Sequence, residues 1–148
     1  MNNNEEYKIQ LCNMLQRYRW QWFVTLNVDD TDLLMVERRL KMWRKFIRDK
    51  SYDLGYFGLY NFHRNSHIHL LMVLRSKDEN SSIDHDIEDF SKYWTKISTR
   101  TCLIERIYNI DGICEYLSLQ NTPFDEDHKK FEFIQPIGTT SILKRYMI

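Results

Sequence analysis

Glycine, proline and cysteine are all scarce in this chain, whose 148 residues include four glycines, two prolines and three cysteines. So few glycines leave little room for a glycine-rich phosphate loop, and neither GxGxxG nor GxxxxGK(S/T) is present. The cysteines, Cys12, Cys102 and Cys114, form no CxxC pair. This pattern argues against a disulfide framework and against a cysteine zinc site, and it fits a reducing compartment such as the cytoplasm.

Long apolar runs and net charge are also missing. No run approaches the roughly 20 apolar residues that a membrane helix needs, and the polar start MNNNEEYK does not resemble a signal peptide. Hydrophobic residues nevertheless make up 43% of the chain and charged residues 28%, which excludes a disordered protein and predicts a single domain over residues 1–148. The 21 basic and 21 acidic side chains cancel, but residues 1–50 hold ten basic and seven acidic ones. Any contact with nucleic acid is therefore expected to be local.

The hydrophobic periodicity predicts a β-α-β-β-α-β order followed by a further helix. The predicted strands are 20–28, 54–62, 66–74 and 101–108, with a further strand candidate at 131–134. The predicted helices are 7–19, 33–47 (with an N-cap supplied by the preceding DDTD), 83–94 (with Ile97 just beyond its end) and 111–121. This order predicts an α+β fold, in which an antiparallel β-sheet carries helices on one face.

A His-x-His pair lies inside the third predicted strand, in the stretch SHIHLLMVL. Because side chains alternate along a strand, His67 and His69 share one face, with Cβ atoms about 7 Å apart. That spacing allows two imidazoles to bind one metal ion. A metal would also offset the cost of burying two histidines in an apolar strand. The alternative is a pair of hydrogen-bonded histidines on a hydrated sheet face.

Tyr116 and Gln120 are four residues apart on the last predicted helix, so they share a helical face. Ile113 and Leu117 are the natural core residues of this helix, which places Tyr116 and Gln120 at the border of its buried stripe. Beside a metal site, the phenol would supply a nucleophile and the carboxamide an oxygen ligand. The alternative is a tyrosine that serves only amphipathic packing.

Three segments in this order, WQWFVTLNV, NFHRNSHIHLLMVL and GICEYLSLQN, resemble the three motifs of the HUH endonucleases. That superfamily includes rolling-circle replication initiators (Rep proteins), relaxases and single-tyrosine transposases. The resemblance covers roughly residues 19–121, leaving 122–148 as a C-terminal extension. The middle motif is the most specific of the three. The resemblance implies a ferredoxin-like or RRM-like sheet.

The resemblance also implies roles for individual residues. His67 and His69 match the histidines that bind a divalent metal, Mn²⁺ or Mg²⁺, and Tyr116 matches the catalytic tyrosine. The third metal ligand varies in the family. Asn61 and Gln120 each occupy a position that supplies this ligand in part of the family, so either could be the third ligand. Asn61 stands where many Rep proteins have a glutamate, and Leu119 stands where many have a lysine.

The function implied is metal-dependent nicking and joining of single-stranded DNA through a covalent 5′-phosphotyrosine. We expect a plasmid or viral rolling-circle replication initiator, acting in the cytoplasm of a prokaryotic cell or of a virus-infected host. Its expected partners are single-stranded DNA at an origin or hairpin and a host or viral helicase, with no membrane. The sequence leaves the oligomeric state open, with a dimer as one alternative. The alternatives are a single-tyrosine transposase, a non-catalytic DNA-binding module, a two-histidine phosphoesterase and an RNA-binding sheet.

Basic and aromatic side chains are the expected contacts for an unpaired strand. Trp20 and Trp22 are predicted to share one strand face, where they would either stack on bases or join the core. His63 in the polar hairpin is either a group near the metal or an ordinary turn residue, and His85 and His128 receive no role. The basic DNA-binding candidates are Arg17, Arg19, Arg38, Lys41, Lys45 and Arg64. For those on the second helix, the alternative is an ordinary solvated helix face.

Overall fold

The computed structural model describes residues 3–28, 32–61, 67–78, 82–120, 131–134 and 146–147. These residues form four α-helices and five β-strands. In chain order they are α1 (Asn3–Leu15), β1 (Trp22–Asn27), α2 (Leu33–Asp49), β2 (Tyr52–Asn61), β3 (His67–Ser76), α3 (Ile83–Ser98), β4 (Cys102–Arg106), α4 (Ile110–Gln120) and β5 (Phe131–Ile134). The predicted hairpin containing His63 and Arg64 lies outside the described residues, as does His128.

The strands form one sheet in the order β4-β1-β3-β2-β5, and every neighbouring pair is antiparallel. The segment from β1 to β4 thus has the ferredoxin-like β-α-β-β-α-β arrangement, in which both helices connect non-adjacent strands. The predicted α+β class with an antiparallel sheet is confirmed. The order also places β3, the strand with the two histidines, at the centre between β1 and β2.

Two helices, α2 and α3, cover one face of the sheet, which we call the α2/α3 face. Its core contains the rings of Trp43 and Trp94, which meet edge to face at 6.2 Å between centroids. Both indole N–H groups are satisfied by backbone carbonyls, because Trp43 donates to Phe90 and Trp94 donates to Asn27. Large aromatic side chains therefore dominate this half of the interior.

The other two helices, α1 and α4, cover the opposite face, which we call the α1/α4 face. Leu11 and Leu15 of α1 pack there with Cys114 and Leu117 of α4 against the strands. The prediction of helices on one face is therefore incomplete. Strand β3 shows why, because its residues from Ile68 to Leu74 are all buried, as expected for a strand covered on both sides.

The two tryptophans at the start of the first motif lie on different faces, contrary to prediction. Trp22 belongs to the α2/α3 core, where the guanidinium carbon of Arg106 lies 4.5 Å from its ring centroid. Trp20 precedes β1 and packs in the α1/α4 core, where its indole N–H donates to the carbonyl of Leu15. The strand begins at Trp22, so strand alternation does not extend back to Trp20. Both tryptophans are therefore buried core residues.

Most predicted element boundaries agree with the structure to within two residues. Two helices are exceptions, since α1 spans Asn3–Leu15 rather than 7–19 and α3 ends at Ser98 rather than at Trp94. At the start of α2, Asp32 accepts a hydrogen bond from the backbone N–H of Leu34, so the predicted N-cap is confirmed. Among the described helices, none combines the length and the apolar character needed to cross a membrane.

Candidate active site

The two histidines of β3 meet on the α1/α4 face of the sheet. The ring centroids of His67 and His69 are 4.5 Å apart, with an angle of 64° between the ring planes. His69 is 4% exposed, whereas His67 is half-buried. Strand alternation thus brings the imidazoles together as the sequence predicts.

Two groups from β1 fix the orientation of the His69 ring. The ring of Phe23 stacks on it at 5.1 Å between centroids and 20° between planes. The hydroxyl oxygen of Thr25 lies 3.2 Å from its Nδ1 atom. Thr25 is the cross-strand partner of His69, so the sheet register itself produces this contact. The imidazole is consequently held by a stacking contact and by a hydrogen bond.

Tyr116 reaches the histidines from α4. Its ring meets that of His69 edge-on at 5.6 Å between centroids and that of Phe23 at 6.2 Å. Cys114 and Leu117 bury one side of α4 against the sheet, which leaves Tyr116 at the border and 44% exposed. The structure therefore brings Tyr116, His69 and His67 into one cluster, with the tyrosine accessible to solvent.

The two predicted candidates for a third metal ligand are placed only by their backbones. Asn61 is the cross-strand neighbour of His67 on β2, and Gln120 is the last residue of α4, four residues after Tyr116. The side chains of both lie outside the described part of the structure.

A third carboxamide beside the histidines is Asn27, which sequence reasoning missed. It pairs with His67 from the β1 side, so its side chain and that of His67 share a face of the sheet. Its amide Nδ2 donates to the hydroxyl of Thr101. The residue lies within the first motif, but its position beside His67 depends on β1 pairing with β3. The sequence pattern carries no signal for that long-range pairing.

The chemistry of these residues fits a divalent cation. Two imidazoles converge on a buried strand, and the Nε2 atom of His67 is shielded from solvent. Asparagine residues occupy the neighbouring register positions on both sides of His67, Asn27 on β1 and Asn61 on β2. Nitrogen ligands combined with oxygen ligands suit Mn²⁺ better than Mg²⁺, which prefers oxygen.

A separate group of potential metal ligands lies on α3. Ligand atoms of His85, Asp86 and Asp89 lie within 4.8 Å of one another. Asp86 accepts a hydrogen bond from the Tyr52 hydroxyl, and Asp89 lies 4.0 Å from the ammonium group of Lys50. These contacts make the group a surface charge cluster on the α2/α3 side, away from the two histidines of β3.

The basic candidates on α2 lie on the far side of the sheet from the histidines. Arg38, Lys41 and Lys45 are exposed on a helix that packs against the α2/α3 face, and Lys45 pairs with Asp49 at 2.7 Å. The structure thus does not bring this helix edge to the histidine pair.

The other basic candidates have different positions. Arg17 and Arg19 are exposed in the connection between α1 and β1, which precedes the end of β1 opposite Asn27. Arg64 lies outside the described residues.

The sheet surface beside the cluster is open along β4. Leu103 pairs with Thr25 and so lies on the same face as the histidines, yet it is 56% exposed. Tyr108, in the connection from β4 to α4, is 90% exposed. Neither α1 nor α4 shields these side chains, so β4 and the connection after it carry an accessible apolar and aromatic strip. Sequence reasoning missed this strip, because its exposure depends on the position of α4 on the sheet.

Comparisons with protein-family profiles, with curated proteins and with solved structures found no match to this chain.

Proposed function

We propose that this protein is a metal-dependent endonuclease that nicks and joins single-stranded DNA through a covalent link to Tyr116. The observation that carries the proposal is the cluster formed by a half-exposed tyrosine on α4, at 5.6 Å from the ring of His69, and a second imidazole 4.5 Å further on. These residues come from segments more than 40 positions apart in the sequence. Their convergence is what a tyrosine nucleophile beside a two-histidine metal centre requires.

His67 and His69 would hold a Mn²⁺ or Mg²⁺ ion, together with an oxygen from Asn61 or Gln120. When bound, such an ion neutralises charge on the scissile phosphate and fixes its orientation. The stacking of Phe23 on His69 keeps the imidazole in a single orientation, so little reorganisation is needed at the moment of reaction.

Tyr116 is the nucleophile in this proposal. Its phenol oxygen attacks the phosphorus, the bond from phosphorus to the 3′-oxygen breaks, and the phenol proton passes to solvent. The products are a 5′-phosphotyrosine and a 3′-oxygen that takes up a proton to become a hydroxyl. Because the tyrosyl ester conserves the phosphodiester bond, a 3′-hydroxyl can attack it and reseal the strand. Nicking and joining are thus the two directions of one reaction.

The open strip along β4 favours an unpaired strand as the substrate. Tyr108 offers an exposed ring on which a base can stack, and Leu103 offers an apolar contact beside Thr25. Stacking on aromatic side chains is a common way to bind single strands without reading their sequence. The predicted role in plasmid or viral rolling-circle replication is consistent with this substrate.

The proposal is tested by incubating the protein with end-labelled single-stranded oligonucleotides and Mn²⁺, followed by denaturing gel electrophoresis. We expect a labelled protein–DNA adduct that survives denaturation, needs the metal and disappears in Tyr116→Phe. The matched control is Tyr93→Phe, which makes the same change on α3, where Tyr93 stacks on Phe46 away from the site. Adduct formation by Tyr116→Phe at the wild-type level would overturn the proposal.

A non-catalytic DNA-binding module is the second candidate. It is favoured by Leu119 and Asn61, which replace the lysine and the glutamate found in many Rep proteins. Such a module would bind oligonucleotides in the same experiment without forming an adduct across varied sequences. A single-tyrosine transposase would form the adduct and differ only in its preferred DNA, which a panel of hairpins and origin-like sequences distinguishes.

A further inference from the structure

Thr25 occupies the central register position on β1, directly opposite His69 on β3 and opposite Leu103 on β4. Its side chain therefore lies on the same sheet face as the histidine pair. It is half-buried, and its hydroxyl oxygen is 3.2 Å from Nδ1 of His69. This contact joins two neighbouring strands at the centre of the cluster.

The contact determines which ring nitrogen of His69 can bind a cation. A neutral imidazole carries one proton, on either Nδ1 or Nε2, and it binds metal through the nitrogen that lacks the proton. If Nδ1–H donates to the Thr25 oxygen, Nε2 has the lone pair. In the opposite arrangement the hydroxyl donates to Nδ1, and the ring proton then occupies Nε2.

The proposed metal site requires the first arrangement, because only then does His69 have a ring nitrogen free of a proton and not engaged by Thr25. Metal-binding histidines characteristically donate their second ring N–H to a nearby acceptor, which fixes both the tautomer and the ring orientation. Phe23 stacks on the ring and Tyr116 meets its edge, so the ring is confined on two further sides. With Nδ1 engaged by Thr25, Nε2 is the atom through which His69 would bind a cation.

We infer that Thr25 is a positioning residue: its hydroxyl oxygen accepts a hydrogen bond from Nδ1–H of His69 and so directs Nε2 toward a divalent cation. This inference rests on the proposed function, because it concerns the same metal centre. It adds a residue of β1 that neither the motif resemblance nor the predicted ligand set assigns.

The test uses the full chain and Mn²⁺ alone, without DNA. Thr25→Val removes the hydroxyl and keeps the β-branched shape, whereas Thr25→Ser keeps the hydroxyl. Mn²⁺ binding is measured by titration calorimetry, and the tautomer of His69 is read from the ¹⁵N chemical shifts of its ring in the metal-free protein. The matched control is Thr95→Val, which removes a hydroxyl that bonds only within α3 to the carbonyl of Ser91.

We expect Thr25→Val to bind Mn²⁺ about 10-fold more weakly than the wild type, the lower end of the range for a lost second-layer hydrogen bond. Thr25→Ser and Thr95→Val should bind as the wild type does. The ring of His69 should carry its proton on Nδ1 in the wild type and in Thr25→Ser, and should lose this preference in Thr25→Val. Should Thr25→Val fail to fold, the comparison of Thr25→Ala with Thr25→Ser isolates the hydroxyl, because both lack the methyl group.

Two results would overturn the inference alone: a wild-type ring protonated on Nε2, or equal Mn²⁺ affinity with and without the hydroxyl. A wild-type protein that binds no Mn²⁺ would overturn the inference and the metal-dependent function together. Because metal binding and tautomer are measured without DNA, failure of the nuclease reaction is distinguished from failure of the role assigned to Thr25.

Discussion

His69 shows, at the scale of single residues, how a polar ring is accommodated in an apolar strand. Burying an imidazole costs desolvation unless its nitrogens find partners. Thr25 supplies a hydrogen-bond partner, and the rings of Phe23 and Tyr116 supply stacking and edge contacts. These contacts keep the ring in place in the absence of a metal, so loss of the metal should not by itself unfold the protein.

Replacement of either histidine by glutamine, His67→Gln or His69→Gln, should reduce the yield of the Mn²⁺-dependent adduct by at least about 100-fold. The reason is that loss of a direct ligand exceeds the 10–100-fold effects typical of outer contacts. Adduct yield on labelled DNA measures this. His85→Gln, which makes the same change on exposed α3, serves as the control and should keep full activity. Wild-type yields in both β3 variants would contradict the proposed metal centre.

Half-buried Cys102 and buried Cys114 predict a pH dependence of stability. Burial raises the pKa of Cys102 from 9.0 to about 12, and burial, with a smaller effect of Cys12, raises that of Cys114 to about 12. In the unfolded chain these thiols ionise near pH 9, whereas in the folded protein they stay protonated until about pH 12. The stability they contribute is therefore fully present below pH 9 and lost as the pH rises from 9 to 12.

Urea unfolding between pH 8.5 and 10 measures this effect. The free energy of unfolding should fall with pH by at most about 1.4 kcal/mol per pH unit for each thiol. Cys102→Ala should reduce the slope, and the Cys102→Ala/Cys114→Ala double variant should reduce it further. Identical slopes in all three proteins would show that these thiols do not ionise differently on unfolding.

The residues of the site differ in how far the sequence could predict them. His67 and His69 follow from strand alternation, and Tyr116 follows from its helix and its motif. Thr25 and Asn27 were missed, because they matter only once β1 lies beside β3. Hydrophobic periodicity reports which way a side chain points, but it contains no information on which strands become neighbours.

Helix α2 is the clearest case, at the scale of elements, of local sequence deciding local structure. Asp32 caps its first turn by accepting a hydrogen bond from the N–H of Leu34. Its apolar residues then recur at helical spacing and join the α2/α3 core. The N-cap and the hydrophobic periodicity indicate the same helix, which is why the start and the end of α2 were predicted to within two residues.

The substitution Asp32→Ala should lower the free energy of unfolding by about 1 kcal/mol, because it leaves an N–H group of the first turn without its side-chain acceptor. Denaturant unfolding monitored by circular dichroism measures the loss. Asp32→Asn keeps an acceptor and is the control, with an expected loss of a few tenths of a kcal/mol. Equal losses for alanine and asparagine would indicate that the capping bond contributes nothing.

The position of α1 and α4 on the sheet was predicted less well than that of α2 and α3. The expected sheet with helices on one face accounts for α2 and α3, but β2 and β3 are apolar on both sides. Phe57 and Leu71 face α1 and α4, whereas Tyr56 and Leu70 face α2 and α3. A strand that is apolar throughout indicates two covered faces. The segment IHLLMVL of β3 carries this apolar pattern, but its histidine interrupts the run of apolar residues.

The whole molecule is a three-layer structure in which the cluster of Tyr116 and the two histidines depends on a helix outside the family resemblance. The resemblance begins near residue 19, yet α1 spans Asn3–Leu15 and packs its leucines against Cys114 and Leu117 of α4. The side chain of Gln16 also hydrogen bonds to that of Asp111 at the start of α4. Tyr116 is thus supported by a segment that carries none of the motifs.

Weakening this support should reduce both stability and adduct yield. Leu15→Ala should lower the free energy of unfolding by about 2–5 kcal/mol, the usual cost of removing a fully buried leucine side chain. Removal of residues 1–18 should prevent cooperative folding, although every motif residue remains. Thermal unfolding and gel filtration measure both effects, and Gln10→Ala, on the exposed side of α1, is the control. A stable, active fragment 19–148 would contradict this role of α1.

The contact between α1 and α4 joins segments about 100 residues apart, and this has a consequence for biosynthesis. A nascent chain cannot complete the layer that carries Tyr116 until residue 120 has emerged from the ribosome. The α2/α3 side, in contrast, has both of its helices and four of the five strands once residue 106 is available. Contacts between distant segments also form slowly. Tyr116, the proposed nucleophile, is therefore set in place late, so that translation products that end before α4 should be unable to form the proposed link to DNA.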